Sequence, residues 1–330
     1  MTKHFQIDCP LVFKPVLKQA LWGGTRLEQL LGKAGEDRPQ IAESWEVCDV
    51  PGDVSLVEHP SVRAGISLRD LMNSSSRELL GQHSFHRQFP LLIKFLDATR
   101  CLSLQVHPRG PIKLANGLEI SGKAESWVVM DAPPGNQTFL GLRDGVTPEQ
   151  LRTALHSGNV LECLHCWEAR IGDCIHIEPG TLHALGAGLL VAEIQQPEDF
   201  AFRLFDWNRA DAQGIPRPLQ MEAGIAATDF TRGPLFPIVP RPRSGRTGSE
   251  LLVDSQHFLI ERHFGEEPLL IPHDDRMHVF MVLSGTARQS QVELQTGQTA
   301  VIPAACSDRE WVLSKDAIVL DSYLPMNESC

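Results

Sequence analysis

The chain has 330 residues, 42% hydrophobic and 22% charged, which is the balance of a soluble globular protein with room for one large domain or two ordinary ones. A formal net charge of −11 argues against nonspecific binding to nucleic acid or to anionic membranes. Eight cysteines scattered from Cys9 to Cys330 form no disulfide framework, and the stretch from Met1 to Pro10 has no signal-peptide layout, so the expectation is a cytoplasmic protein with reduced thiols.

In chain order, the first helical signal is Ser67-Leu-Arg-Asp-Leu-Met72, with Ser67 as N-cap, followed by Arg77-Glu-Leu-Leu80. Two short apolar strands come next, Phe89–Leu96 and Cys101–His107, joined by a turn over Asp97 to Arg100. Although the chain is acidic, the segment from Arg87 to Lys123 is basic: Arg87, Lys94, Arg100, Arg109, Lys113 and Lys123 stand against Asp97 and Glu119. Ser126–Met130 is a further strand, ended by Ala132-Pro-Pro-Gly135. The clearest helix runs from Thr147 to His156, with Thr147 as cap, Pro148 at the first helical position and Gly158 as its end. Asp173–Ile177 and Leu189–Ile194 return to strand. Short strands separated by Gly/Pro turns predict a mainly β chain, a sandwich or barrel. No run reaches the ~18 apolar residues of a membrane span.

Thr231 to Gly248 is rich in Pro, Gly and Arg and reads as a linker. This divides the chain into a domain over 1–230 with helical segments, a linker over 231–248 and a second domain over 249–330. A weak internal repeat links the two domains. Glu125-Ser-Trp-Val-Val-Met and Gly172–His183 in the first match Arg276-Met-His-Val-Phe-Met and Gly297–Ser307 in the second. Aligned on Pro179 and Pro303, His183 falls opposite Ser307 and Glu125 opposite Arg276. Two related barrels follow, with metal binding confined to the first.

Gln105 and His107 are two residues apart on a strand and share a face. Glu125 leads into another strand, and His183 follows the rigid Pro179-Gly180 turn. Nitrogen and oxygen donors without thiolate suit zinc, manganese, iron or nickel. A lone strand histidine is more often a satisfied structural residue, so spacing alone leaves both readings open. From the residues alone, Glu193 and Arg203 read more readily as an ion pair bracing the barrel than as a catalytic pair. Cys163-Leu-His-Cys166 lacks a second Cys pair, and His273 and His278 lack partners for a metal site in the second barrel. Trp45, Trp127 and Trp207 read as core and site-wall packing.

The chain resembles the type I phosphomannose (mannose-6-phosphate) isomerases. The resemblance rests on Leu21-Trp-Gly-Gly24, Glu43-Ser-Trp-Glu46, Phe89-Pro-Leu-Leu-Ile-Lys94, Leu102-Ser-Leu-Gln-Val-His-Pro108, Gly122-Lys-Ala-Glu-Ser-Trp127, Pro179-Gly-Thr-Leu-His-Ala-Leu185, Glu193-Ile-Gln-Gln196 and Arg203-Leu-Phe-Asp-Trp-Asn-Arg209, in that order. It implies two cupin-type (jelly-roll) barrels with a small helical portion, and the second barrel lacks metal ligands. It also implies one zinc ion per chain on Gln105, His107, Glu125 and His183, and catalytic roles for Arg203, Glu193 and Lys123. Ser103, Lys94 and Arg203 fall at substrate positions. The implied reaction interconverts mannose 6-phosphate and fructose 6-phosphate through an enediol. The expected partner is a small sugar phosphate rather than nucleic acid or membrane, on a monomer or weak homodimer. Arg109-Gly-Pro111 departs from the acidic residues the family usually carries after His-Pro. An iron-dependent cupin oxygenase and a noncatalytic sugar-phosphate sensor are the alternative readings.

Overall fold

Strands that are apolar at nearly every position must be covered on both faces, and the architecture follows from that requirement. The structure, a computed structural model, describes residues 7–34, 40–113, 117, 119–211, 213–243 and 247–326. The first six residues of the N-terminal stretch, residues 244–246 of the expected linker and Cys330 lie outside the described residues.

Leu92–Ala98 and Leu189–Gln195 are buried along their whole length. They sit side by side in a six-stranded antiparallel sheet ordered Cys174–Ile177, Glu125–Asp131, Leu189–Gln195, Leu92–Ala98, Glu43–Val47, Val16–Lys18. A five-stranded sheet lies across it: Leu164–Trp167, Thr138–Leu142, His183–Ala184, Leu104–Val106, Phe202–Phe205. Trp127, Ile175 and Val191 of the first sheet meet Leu140 of the second, and Leu185 just beyond it, in one apolar cluster, which closes the first barrel. The second barrel repeats the plan. An eight-stranded sheet faces the four strands Leu269–Leu270, Glu310–Leu313, Thr286–Gln289 and Val292–Gln295 across a core of Phe280, Ala300, Ile302, Trp311 and Val319. The chain is mainly β in the cupin-like manner.

The two large sheets pack back to back. Ile93, Phe95, Val128, Ala192 and Ile194 share a core with Val253, Ile260, Val279, Met281, Val301 and Leu320. Side chains alternate along a strand, so the neighbours of these residues must point into a barrel. Lys94, Glu125, Trp127, Glu193 and Gln195 therefore face the first interior, while His278, Phe280, Asp321 and Tyr323 face the second.

Leu11–Lys14 pairs with Thr299–Ile302 and with Leu56–His59, so the N-terminal segment supplies two strands to the C-terminal sheet. A division at residue 230 thus cuts through a continuous sheet. The physical reason is that Thr299–Ile302 would otherwise expose an unpaired edge. The expected linker is also anchored: Leu235 N donates to the Leu140 carbonyl and Ile238 N to the Cys174 carbonyl. Strand register corrects the repeat by two residues. Glu125 pairs with Ile177 and Trp127 with Glu193, whereas His278 pairs with Ile302 and Phe280 with Asp321. His278, not Arg276, occupies the place of Glu125.

Four α-helices lie among the described residues, and none is long and apolar enough to cross a membrane. Ser67 caps Leu68–Leu80, which bends at Ser75 and so unites the two helical signals around residues 67–80. Pro148–Ser157 opens with a reciprocal capping box between Thr147 and Gln150 and ends at left-handed Gly158. Arg26–Leu31 and Met221–Ala227 are short helices without a side-chain cap bond, and no sequence pattern announced them.

Candidate metal centre

Cross-strand neighbours share a face, so two rows of residues confront each other inside the first barrel. On the six-stranded sheet, Trp127 pairs with Glu193, Glu193 with Lys94, and Lys94 with Trp45. Glu125 and Gln195 form the adjacent pair on the same face. On the five-stranded sheet, His183 pairs with Gln105 and Gln105 with Arg203. His107 follows directly on the strand that carries Gln105. Residues 58 positions apart in the case of Glu125 and His183 thus meet because the two sheets close on each other.

His107, Glu125 and His183 are fully buried and their ligand atoms lie within 4.8 Å of one another. His107 Nε2 is 3.2 Å from Glu125 Oε2, and His183 Nε2 is 3.0 Å from Glu125 Oε1. His107 Nδ1 bonds the Phe200 carbonyl and His183 Nδ1 the Thr181 carbonyl, both at 2.9 Å. A carbonyl accepts only from an N–H, so each proton sits on Nδ1 and each Nε2 presents a lone pair inward. Lone pairs facing carboxylate oxygens repel unless a cation stands between them. Neither Glu125 oxygen nor His107 Nε2 makes an aligned hydrogen bond despite complete burial. This donor set fits a divalent metal ion. Gln105 Nε2 is 3.3 Å from His183 Nε2, and a half-turn of its amide would bring Oε1 to the same point.

The electrostatics agree. Burial, then the nearby Lys123 charge, pushes His107 down to about 4, so the ring is neutral and free to ligate. Burial works against the Glu125 charge, but Lys123, His107 and His183 hold its carboxyl well below the usual range. Lys123 Nζ lies 2.7 Å from Glu125 Oε2 and donates to Gln195 Oε1 at 3.1 Å.

Glu193 differs. Burial raises its pKa, opposed by Lys94 and reinforced by the Glu125 charge. Its Oε1 accepts from Trp127 Nε1 at 2.8 Å and its Oε2 is 3.4 Å from Lys94 Nζ. Burial opposes the Lys94 charge, yet Glu43, Glu193 and Asp199 hold its pKa well above the ordinary value. Lys94 also stands 3.3 Å from both Glu43 and Asp199 and 4.7 Å over the Trp45 ring.

A cavity of about 360 Å³ opens onto this centre, within the usual range for small-molecule sites. Lys94, Ser103, Gln105, His107, Lys123, Glu193 and Arg203 all line it. Glu125 and His183 sit beneath its floor, in contact with residues that do. Sequence reading missed Glu43, Asp199, Arg217 and Gln220, which also line it. Glu43 opens a quoted motif but carried no assigned role, and Arg217 lies in a Pro/Gly-containing loop without periodicity. Arg203 donates through its backbone to Gln220 Oε1 and through Nη1 to the Pro218 carbonyl, while its buried Nε finds no partner. Burial and the neighbouring Arg217 lower its pKa.

Other candidates stay outside the site. Cys163 is buried and Cys166 exposed, both as free thiols whose pKa burial raises. His278 bonds Asp321 and Asp274 instead of a metal set.

A family model described as phosphomannose isomerase type I, catalytic domain, matches residues 11–119. The chain is 35% identical over 218 residues to a mannose-6-phosphate isomerase of Streptococcus mutans, a span covering 66% of each chain. It is 30% identical over 302 residues to a probable mannose-6-phosphate isomerase, GmuF, of Bacillus subtilis, covering 89% of this chain and 93% of that one. The crystal structure of a mannose 6-phosphate isomerase from Bacillus subtilis superposes with a TM-score of 0.83 at 25% identity, covering 96% of this chain and all of the other.

Proposed function

Since the chain belongs to the type I mannose-6-phosphate isomerase family, we propose that it interconverts mannose 6-phosphate and fructose 6-phosphate with one zinc ion held by Gln105, His107, Glu125 and His183. The observation that carries the metal is the convergence of two imidazole nitrogens and a carboxylate, all buried, with His107 Nε2 and both Glu125 oxygens lacking an aligned hydrogen bond. When bound, the ion supplies Lewis-acid stabilisation to oxygen as negative charge develops on it. The protein residues do the rest. Glu193 moves the proton between C1 and C2 through an enediol, and burial, which raises its pKa, makes it a stronger base than an ordinary carboxylate. Trp127 and Lys94 hold its two oxygens in place. Lys123 fixes Glu125 and Gln195, and Arg203, with an unpaired buried Nε, offers a donor to substrate oxygen. Ser103, buried at the cavity wall, offers a hydroxyl to the sugar. The seven described cysteines are all free thiols, which supports a cytoplasmic setting.

The test is a coupled assay on mannose 6-phosphate before and after chelation, with zinc added back. Activity that falls with bound metal and returns with zinc is expected. Turnover indifferent to complete metal removal sinks the zinc reading, and absence of turnover in the metal-loaded protein sinks the substrate.

A further inference from the structure

The two ends of the cavity differ in charge, and that difference decides where an anionic group sits. At one end Lys94 is surrounded by Glu43, Glu193 and Asp199, each within 3.4 Å. One cation against three carboxylates repels a phosphate. Lys123 nearby is already committed to Glu125 and Gln195. At the other end the imbalance is reversed. Asp206 accepts from Arg209 and is gripped by Arg217 through Nε at 2.8 Å and Nη2 at 2.5 Å. Arg203 stands close enough to Arg217 and Arg209 to feel their charges, and Asp206 is the carboxylate that faces it. Three guanidinium groups thus share one carboxylate. Arg209 is tied inward to the Cys101 carbonyl and does not line the cavity, whereas Arg203 and Arg217 do.

We propose that Arg217, clamped by Asp206 beside Arg203, binds the phosphate of the sugar phosphate and sets the preference for phosphorylated over free sugar. This rests on the isomerase reading above. The clamp on Asp206 uses the Nε–Nη2 edge of a planar fork, so the guanidinium is held in one orientation before the anion arrives. Arg203 lies one strand from Gln105, which places the phosphate pair beside the metal set. A sugar phosphate bound with its phosphate on Arg217 and Arg203 extends its other end toward His107 and Glu193. Gln220, which accepts from the Arg203 backbone, and Pro218, whose carbonyl holds Arg203 Nη1, return the Arg217 loop to that strand.

The test uses the zinc-loaded full chain with R217M and R217K. In R217M, KM for mannose 6-phosphate should rise about 10- to 100-fold, the range for loss of hydrogen bonds to a charged group, with kcat within a few-fold. Discrimination between mannose 6-phosphate and unphosphorylated mannose, read as the ratio of their kcat/KM values, should fall by a similar factor. R217K keeps charge without the fork and should fall between wild type and R217M. Inorganic phosphate, titrated calorimetrically, should bind the wild type and bind R217M more weakly by a similar factor. That measurement needs no turnover: arginine-dependent phosphate binding without isomerase activity would fail the function while supporting Arg217. Unchanged KM and unchanged phosphate affinity in R217M, or a wild type that does not bind phosphate, overturns the proposal. A fall in kcat alone also overturns it. If R217M does not fold, R217K decides, and wild-type phosphate affinity in R217K refutes.

Discussion

Replacing Glu193 with Gln isolates chemistry from architecture. The side chains have the same shape, and the Gln carbonyl can still accept from Trp127 Nε1, now 2.8 Å from Oε1. Lys94 keeps two carboxylates at 3.3 Å, Glu43 and Asp199, so it is not left unpaired. Glu125 lies in the next row and contacts Lys123, His107 and His183 rather than Glu193, so the metal set is untouched. What disappears is a group that accepts and returns a proton. General acid–base catalysis contributes about 10²- to 10⁴-fold, or roughly 3–5 kcal/mol of activation free energy. We therefore expect kcat for E193Q to fall by that range at unchanged metal content. The pH profile adds a second reading. The base must be ionised to act, and burial raises the Glu193 pKa, so wild-type kcat/KM should decline with falling pH at a higher pH than an ordinary glutamate would give. Residual E193Q activity should lack that limb. A variant with full metal and kcat within about threefold of wild type would refute the assignment.

Two predictions concern stability. His278 is buried, which opposes its charge, but Asp321 and Asp274 raise its pKa above 6.5. Its contribution is therefore complete below the unfolded value and is lost as pH rises through the folded one. H278N should lose about 3 kcal/mol or more at pH values below ~6.5, with a narrowing gap on the alkaline side, read by denaturant unfolding. A gap that widens with pH contradicts the reasoning. For Gly186→Ala, the added methyl would collide with the Gln137 carbonyl and the Thr138 hydroxyl, beside the strand carrying His183. A loss of about 1–3 kcal/mol together with weaker metal retention is expected, and an unchanged melting temperature would show that this loop yields freely.

How legible the site was depended on distance along the chain. The helix over Pro148–Ser157 is local: cap, first-turn proline and terminal glycine lie within 12 residues, and each was readable. Gln105 and His107 share a strand face by simple alternation. Glu125 and His183 cannot be joined that way, because only the closing of two sheets brings them to 3.0 Å. Resemblance supplied that link before geometry did. Arg217 was invisible because its role depends on Asp206, eleven positions away across an irregular loop. Arg26–Leu31 and Met221–Ala227 escaped for a related reason: with six and seven residues they are too short for a periodic signal, and packing against the barrel holds them.

Strand register also explains, in physical terms, how one fold presents a metal set in one barrel and not in the other. The positions of Glu125 and Glu193 are taken by His278 and Asp321 in the second barrel. In the first, the Glu125 carboxylate faces two imidazole nitrogens, an arrangement that suits a cation. In the second, the imidazole Nδ1 lies 2.9 Å from both Asp321 oxygens, and Asp274 meets its other nitrogen at 3.4 Å. Arg276 then grips Asp274 and lies 4.4 Å over the Tyr323 ring. Every charge there has a partner made of protein. Exchanging a carboxylate for an imidazole at one register position, and pairing it with a carboxylate on the neighbouring strand, converts a donor set suited to an ion into one that supplies its own counter-charge.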